Sequence, residues 1–169
     1  MGKRNSPITQ LVMTAIFGAL AFLATFFLGI PYAGGAGYFC FGDIVSLLGT
    51  YLFGPFVGLG SSLIGALFSD LAKGYAAFIP FSALAKSLMV LGAFGLYYPL
   101  REKKGWNLLG FFLGGLLMPF GYLPAYLIYY GDYAWVSFGF DFIQGIGCAA
   151  LSCLLYLPLK KALRPLMKS

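Results

Sequence analysis

Long uncharged apolar runs divide the chain, and charged, glycine-rich or proline-containing stretches separate them. The first run extends from residue 8 to residue 30, and Pro31 and the glycine-rich stretch 34–37 follow it. A helix needs about 20 apolar residues to cross the hydrocarbon core of a bilayer. The run therefore predicts a membrane-spanning helix.

The second long run, 44–69, is interrupted by Gly54 and Pro55. Proline disrupts the interior of a helix but is tolerated in its first turn, so we predict two consecutive segments here. The complete set of predicted spans is 8–30, 41–53, 55–71, 80–100, 108–130 and 136–159. The expected fold class is an all-α membrane protein, a six-helix bundle that forms a single integral membrane domain over residues 1–169.

Basic residues predict the orientation of this bundle, because cytoplasmic loops retain lysine and arginine. Nine of the 11 basic residues form three clusters, namely Lys3 and Arg4, then Arg101, Lys103 and Lys104, and finally Lys160, Lys161, Arg164 and Lys168. Six spans place all three clusters on one side, which predicts cytoplasmic N- and C-termini. Joining the second and third spans into one would place the two later clusters outside.

The composition favours a membrane protein and argues against other classes. Hydrophobic residues make up 60% of the chain and charged residues 9%, whereas about a quarter of a typical globular domain is charged. The net charge of +6 does not indicate nucleic-acid binding, because the basic residues flank the spans and form no face interleaved with aromatics. Retention of basic residues on the cytoplasmic side explains them instead, with contact to anionic lipid headgroups as a secondary effect.

The sequence does not indicate catalytic chemistry. It contains no histidine, the commonest general base and metal ligand. It also lacks the phosphate-binding pattern GxxxxGKS/T, so we do not expect this chain to hydrolyse ATP itself. Cys40, Cys148 and Cys153 lack metal-ligand spacing and are expected to be small packing residues. We therefore predict neither an enzyme nor a bound cofactor or metal.

Charged and amide side chains converge on the predicted outer half of the bundle. Asp43 opens the second span and Asp70 closes the third. Lys86 and Asp141 each lie about two turns into a later span, and Gln144 shares a face with Asp141. Charges inside a membrane are costly, so they usually line a cavity or pair with one another. The pattern predicts a pocket open to the outside, with mutual neutralisation of Lys86 and Asp141 as the alternative.

Aromatic residues crowd the same half of the bundle. Tyr75 lies in an outer loop, Tyr122, Tyr126 and Tyr129 recur at helical spacing, and Trp135 follows in the next loop. Membrane interfaces are rich in tyrosine and tryptophan regardless of function, so an interfacial belt is one interpretation. The other is an inward-facing stripe that stacks on a flat, polar, heteroaromatic solute.

Several short motifs resemble those of one membrane-protein family. They are Tyr38-Phe39-x-Phe41-Gly42-Asp43, Phe53-Gly54-Pro55-Phe56-Val57-Gly58, Gly65-x-x-x-Ser69-Asp70-Leu71 with Gly74-Tyr75, Pro80-Phe81-x-x-x-x-Lys86, and Gln144-Gly145. The likeness covers nearly the whole chain and resembles the substrate-binding S component of energy-coupling factor (ECF) vitamin transporters. It looks closest to the branch with hydroxymethylpyrimidine, pyridoxine or riboflavin-type substrates.

The resemblance implies a function and a set of partners. S components capture a small B-vitamin or precursor at the outer side of the prokaryotic cell membrane. They work with a transmembrane coupling subunit and two ATPase subunits, which use the ATP. Ala15 and Ala19 match the family's Ala-x-x-x-Ala docking motif for the coupling subunit, although internal helix packing also explains small residues at this spacing.

The candidate substrate-binding residues are Lys86, Asp141, Gln144, Tyr122, Tyr126, Asp70, Tyr75 and Trp135. Asp141 departs from the amide side chain that the branch leads us to expect. Because a carboxylate only accepts hydrogen bonds, Asp141 favours a donor-rich solute such as pyridoxine or hydroxymethylpyrimidine, with riboflavin and pantothenate as further candidates. The alternatives are an ion-coupled secondary carrier or channel acting alone, and a structural membrane protein without a small ligand.

Overall fold

The computed structural model describes residues 6–32, 37–100, 102–103 and 105–163. The α-helices in this part of the chain are α1 (Pro7–Leu28), α2 (Gly42–Phe53), α3 (Pro55–Lys73), α4 (Ile79–Leu100), α5 (Leu109–Tyr130) and α6 (Ala134–Ala162). Between α1 and α2, strand β1 (Pro31–Tyr32) pairs antiparallel with β2 (Gly37–Tyr38). Single 3₁₀ turns precede the last three helices at Ala76–Phe78, Trp106–Leu108 and Gly131–Tyr133.

The helices lie where the hydrophobic runs predict them, and each begins and ends within three residues of its predicted bounds. The stretches long and apolar enough to cross a bilayer are Pro7–Leu28, Pro55–Lys73, Ala76–Leu100 and Trp106–Ala162, the last of which contains both α5 and α6. The chain is therefore predominantly helical, with several helices able to span a membrane. With 12 residues, α2 is too short to cross alone, so the number of crossings stays a prediction.

The orientation of the bundle also stays a prediction. Of the basic residues that predict it, Lys3, Arg4, Arg101, Lys104, Arg164 and Lys168 lie outside the described residues. Lys103, Lys160 and Lys161 lie within them. Lys160 and Lys161 are in the last turn of α6, where positive charge also complements the helix dipole.

The boundary between α2 and α3 has a local cause. Gly54 adopts a φ of 104°, which a residue with a Cβ rarely accepts, and Pro55 occupies the first position of α3. The chain thus ends one helix and restarts another within a single residue. Gly74, with a φ of 81°, ends α3 and turns the chain towards α4.

Helix α2 is the centre of the bundle. It contacts α1, α3, α4 and α6, and ten of its 12 residues are buried. The surrounding helices bury one face each and leave large apolar side chains exposed, as lipid-facing helices do; on α1 these include Leu11, Leu20 and Phe27. Because α2 is enclosed on all sides, the polar residues at its beginning are carried into the protein interior.

Helices α5 and α6 approach each other closely at one pair of glycines. A Cβ atom on Gly115 would collide with the backbone of Gly145, and a Cβ on Gly145 would collide with the backbone of Gly115. Small residues at such crossings allow helix backbones to pack closely in lipid. Gly145 directly follows Gln144 in the sequence. Its close contact with Gly115 therefore determines how far the side chain of Gln144 reaches into the bundle.

Candidate functional site

One end of the bundle holds a polar cavity. It lies where the β-hairpin and the start of α2 meet the end of α3, the start of α4, the end of α5 and the first turns of α6. The residues that line it are Gly37, Tyr38, Cys40, Ala66, Asp70, Tyr75, Phe78, Ser82, Lys86, Tyr122, Tyr126, Asp141 and Gln144. Its volume is about 40 Å³, which accommodates water but not a vitamin, since ligand pockets usually measure about 300 Å³ or more.

A buried ion pair forms the floor of the site. Lys86 Nζ donates to Asp43 Oδ1 at 2.6 Å, and both side chains are almost fully buried. The amide nitrogen of Gln144 donates to the other carboxylate oxygen, Asp43 Oδ2, at 2.8 Å. Both the cationic and the amide nitrogen also lie 3.7 Å from Met118 Sδ. This network links α2, α4, α5 and α6, so a buried charge that would be costly alone is neutralised and hydrogen-bonded.

The same glutamine fixes the segment that follows the hairpin. The backbone N–H of Cys40 donates to Gln144 Oε1 at 2.9 Å. The thiol of Cys40 lies 3.2 Å from Thr25 Oγ1, and that hydroxyl oxygen also accepts the N–H of Gly42 at 3.1 Å. Residues from α1 and α6 therefore hold the entry to α2 in place from two sides.

Asp70 and Tyr38 close the cavity on the hairpin side. The phenol of Tyr38, on β2, donates to Asp70 Oδ1 at 2.6 Å. Burial, together with the neighbouring Cys40 and Asp70, raises the pKa of Tyr38 well above its usual value, so the phenol stays protonated as a donor. The ring of Tyr38 lies 5.5 Å from that of Tyr75, and Lys73 Nζ lies 4.2 Å from the Tyr38 centroid. A single carboxylate thus ties the hairpin to the end of α3.

An aromatic column lines the α5 side. The rings of Tyr122 and Tyr126 are stacked with centroids 5.9 Å apart, and Tyr126 and Tyr130 repeat this spacing. Tyr126 also donates its hydroxyl to Asp141 Oδ2 at 2.7 Å, and the ring of Phe78 lies 6.2 Å from that of Tyr126. The arrangement offers flat apolar faces next to a carboxylate, which suits a heteroaromatic solute that stacks and donates hydrogen bonds.

The structure brings seven of the eight predicted binding residues to the cavity and leaves one outside. Trp135 does not line it; its side chain is exposed and packs edge-to-face with Phe138. Trp135 therefore lies apart from this cavity, at the start of α6, and its contact with a solute stays a prediction. Whether the other seven contact a solute stays a prediction.

The structure adds two details to the alternatives that the sequence left open. Lys86 forms its ion pair at 2.6 Å with Asp43, because the start of α2 packs against both α4 and α6. The tyrosine column continues to Tyr130, four residues after Tyr126, and not to Tyr129, whose ring is half-exposed against Phe78 and Phe81. On this helix, tyrosines four residues apart stack on one another, whereas Tyr129 is three residues after Tyr126 and lies to the side of the column.

Several residues of the site carry no sequence signal for a binding role. Asp43 was recognised as an outer-half charge, but its role as the partner of Lys86 depends on tertiary packing. Tyr38, Phe78 and Ser82 line the cavity without any polar pattern that separates them from ordinary loop and helix residues. The motif that begins at Tyr38 could have drawn attention to this segment. It indicates a family, however, and does not indicate which side chains Tyr38 contacts.

A second, apolar cavity adjoins the first. It measures about 280 Å³ and is bounded by Ile30, Phe39, Cys40, Phe41, Ile143, Gln144, Gly147, Cys148 and Leu151. Cys40 and Gln144 line both cavities, so the segment that follows the hairpin separates them. Among the described residues, no group of three histidine, cysteine or acidic side chains is arranged to hold a metal ion.

The predicted docking alanines lie on the outer surface of the bundle. Ala15 and Ala19 are both exposed on α1, whereas Phe17 and Gly18 between them face the interior. Internal helix packing therefore does not account for these two alanines. Their contact with a partner subunit stays a prediction.

Comparisons with known proteins place this geometry in context. The sequence matches the family described as ECF-type riboflavin transporter, S component, over residues 5–165. An uncharacterized protein of Pyrococcus woesei is 31% identical over 149 residues, which are 86% of this chain and 98% of that protein. A solved structure of the S component of a bacterial ECF transporter has a TM-score of 0.73 at 25% identity, covering 91% of this chain and 96% of the other.

Proposed function

Because the chain belongs to the family of ECF-type riboflavin transporter S components, we propose that its polar cavity captures a small B-vitamin or vitamin precursor for ATP-driven import. As a member of this family it is the substrate-binding component of a transporter and not an enzyme. The import reaction would use ATP on partner subunits, and this chain would need no cofactor.

One observation carries the proposal. An otherwise apolar bundle concentrates Asp43, Asp70, Lys86, Asp141 and Gln144, all buried, around one cavity at one end. Burying such groups lowers stability unless they are paired. Contact with lipid does not explain why these polar residues lie together. A site that recognises a polar solute provides that reason, because its hydrogen-bonding groups must be held away from water.

Solute entry requires movement, because the cavity of about 40 Å³ is smaller than any vitamin. The segment of residues 37–41 is the part that separates this cavity from its apolar neighbour of about 280 Å³. Displacing Cys40 would join the two spaces into one of a size typical for ligands. We infer that the described state is closed and that the hairpin side opens to admit the solute.

Riboflavin is the first solute to test. The matching family is described by that vitamin, and a stacked column such as Tyr122–Tyr126–Tyr130 suits a flat ring system. Pyridoxine and hydroxymethylpyrimidine, which Asp141 favours as a hydrogen-bond acceptor, come next. Thiamine and pantothenate complete a panel that differs in charge and donor number.

Binding to this panel tests the proposal directly. Native mass spectrometry of the purified chain would reveal a co-purifying vitamin, and titration calorimetry would measure its affinity and stoichiometry. A tight one-to-one isotherm with one member would support capture. Folded protein that binds none of them, or that transports alone in liposomes driven by an ion gradient, would favour a structural role or a secondary carrier instead.

We further propose that Ala15 and Ala19 dock the transmembrane coupling subunit, with six spans and both termini on the cytoplasmic side of a prokaryotic cell membrane. Both alanines are exposed on a smooth, uncharged helix, and small residues allow close helix contact in lipid. An arginine at position 19 would block that contact without touching any residue that lines the polar cavity.

The docking proposal is tested by separating binding from uptake. Ala19→Arg should leave vitamin affinity unchanged and abolish uptake in cells that contain the coupling and ATPase subunits. Ala150→Arg is the matched control, because Ala150 is also an exposed alanine within a helix, on α6. Equal loss of uptake in both variants, or loss of vitamin binding in Ala19→Arg, would contradict a docking role for Ala19.

A further inference from the structure

One carboxylate oxygen in the cavity lacks a hydrogen-bond partner within the described part of the chain. Asp70 is 4% exposed, and its Oδ1 accepts the hydroxyl of Tyr38 at 2.6 Å. Its Oδ2 is buried and meets no donor with hydrogen-bond geometry among the described residues, although the hydroxyl of Ser82 stands nearby on the same cavity wall. Asp70 itself lines the cavity, so a solute that enters the cavity would lie beside this carboxylate.

A buried acceptor without a donor is unfavourable, especially when it carries charge. Native proteins satisfy the large majority of such groups with protein or water. Because Asp70 belongs to the wall of a candidate binding cavity, the missing donor for Oδ2 is expected to come from a solute bound there.

The ammonium groups of the two nearby lysines already contact other side chains. Lys86 Nζ is 2.6 Å from Asp43 Oδ1 and also contacts Met118 Sδ. Lys73 Nζ lies over the ring of Tyr38, and Lys73 is not among the residues that line the cavity, although its charge acts on Asp70. Because Asp43 balances Lys86, the carboxylate of Asp70 adds negative charge to the cavity wall.

We propose that the captured solute donates an N–H or O–H hydrogen bond to Asp70 Oδ2, and that the cavity consequently selects neutral donor-bearing or cationic heterocycles over anions. This inference rests on the proposed function and specifies the solute class of the same site. Asp70 then contacts the solute with one oxygen and the β-hairpin with the other, so solute capture and closure by Tyr38 share one carboxylate.

The substitution Asp70→Asn tests the contact with little change in shape. The amide oxygen can still accept the Tyr38 hydroxyl, but the amide nitrogen that replaces Oδ2 cannot accept a hydrogen bond. Calorimetry with riboflavin, pyridoxine, hydroxymethylpyrimidine and thiamine should show an affinity loss of about 10-fold to 100-fold for the members that bind, as expected for a hydrogen bond to a charged group. Asp132→Asn, in the exposed turn before α6, removes the same charge without touching the cavity and should leave affinity unchanged.

Several outcomes would overturn the inference. Unchanged affinity in folded Asp70→Asn protein, or an equal loss in Asp132→Asn, would show that Oδ2 receives no solute donor. Wild-type affinity that requires sodium and disappears in N-methylglucamine buffer would assign the oxygen to an inorganic cation.

A measurement on the wild-type chain keeps the inference testable if Asp70→Asn does not fold. Pantothenate, the anion of the panel, should bind at least about 10-fold more weakly than the tightest neutral or cationic member. Pantothenate binding as tight as that of the other vitamins would contradict the selection. Folded wild-type protein that binds no panel member would overturn the proposed function together with this inference, whereas normal binding with unaffected Asp70→Asn would overturn the inference alone.

Discussion

The two ends of helix α2 bury opposite kinds of side chain. At its beginning, Asp43 pairs with Lys86 and Gln144 beside the cavity. Near its end, Tyr51 stacks on Phe111 with ring centroids 3.7 Å apart and planes 14° from parallel. The first end encloses a space and the second is filled by packed rings, although one continuous helix of 12 residues joins them.

The aromatic end is satisfied by its own packing. Tyr51 lies 4.4 Å from the ring of Tyr97 and 5.5 Å from that of Tyr156, and its hydroxyl donates to the backbone oxygen of Asn107 at 2.9 Å. Such ring pairs stabilise a core beyond the area that they bury. The end around Tyr51 therefore needs nothing from outside the chain.

The polar end differs because its groups stabilise the fold only as a set. Each buried charge costs free energy that its partners offset, and even so Asp70 Oδ2 lacks a partner among the residues that the structure describes. Local departures from good packing usually mark functional sites. We therefore propose that stability depends chiefly on the aromatic end and solute recognition on the polar end.

The largest effect is expected from Lys86→Met, which leaves Asp43 as an unpaired buried carboxylate. Breaking a buried ion pair from one side typically costs about 3–5 kcal/mol of unfolding free energy. The floor of the cavity is lost as well, so vitamin binding should disappear. Thermal and denaturant unfolding in detergent, followed by calorimetry, would measure the two effects.

The double variant Asp43→Asn with Lys86→Met is the control for that interpretation. It removes both charges, and the amide oxygen introduced at position 43 can still accept a hydrogen bond from Gln144. Most of the lost stability should return. A double variant as unstable as Lys86→Met would show that the volume and contacts of Lys86, and not its charge pairing, hold the polar end together.

The aromatic end should behave in the opposite way. Tyr51→Ala removes a fully enclosed ring and should lower the free energy of unfolding by about 3 kcal/mol, within the range for large-to-small core substitutions. Because Tyr51 lies at the far end of α2 from the cavity, vitamin affinity at temperatures where the variant is folded should not change. An affinity loss of about 10-fold or more would contradict the separation of the two ends.

A smaller effect is expected at the cavity wall. Asp141→Ala removes the acceptor of the Tyr126 hydroxyl and a hydrogen-bonding group for the solute, and should weaken vitamin binding by about 1–3 kcal/mol. Asp132→Ala is the exposed control on the neighbouring turn. An unchanged dissociation constant for Asp141→Ala would show that Asp141 serves only to position Tyr126.

Sequence alone predicted the helices well because their signals are local. Each uncharged run lies within a single stretch of sequence, and the Gly54–Pro55 break acts within a few residues. The clustering of the polar residues in one half of the bundle was also predictable. Consecutive helices run in opposite directions, so the end of one helix lies beside the start of the next. The short β-hairpin before α2 was not predicted, because its two-residue strands carry no alternation to detect.

The partners within the site could not be predicted, because they depend on how each helix is rotated and how closely it approaches its neighbours. Lys86 pairs with Asp43 because α2 passes through the middle of the bundle. The contact of Gly115 with Gly145 sets the depth of Gln144, yet either glycine alone is an ordinary feature of a membrane helix. Tertiary packing, and not composition, decides these pairings.

The smallest effect is expected from Tyr126→Phe, which keeps the ring of the aromatic column and removes its hydroxyl. The loss of one hydrogen bond to Asp141 should weaken vitamin binding by about 1 kcal/mol, or roughly fivefold. Tyr133→Phe, at an exposed position before α6, is the matched control and should have no effect. Calorimetry with the vitamin that binds the wild-type chain would measure both variants.

Combining Tyr126→Phe with Asp141→Ala completes a double-mutant cycle across the 2.7 Å hydrogen bond. If the hydroxyl acts on the solute by orienting Asp141, the double variant should bind no more weakly than Asp141→Ala, because the second substitution removes a contact already lost. Additive losses would mean that each residue contacts the solute separately. The cycle therefore determines whether the α5 column recognises the solute through its ring faces alone or also through the carboxylate that it positions.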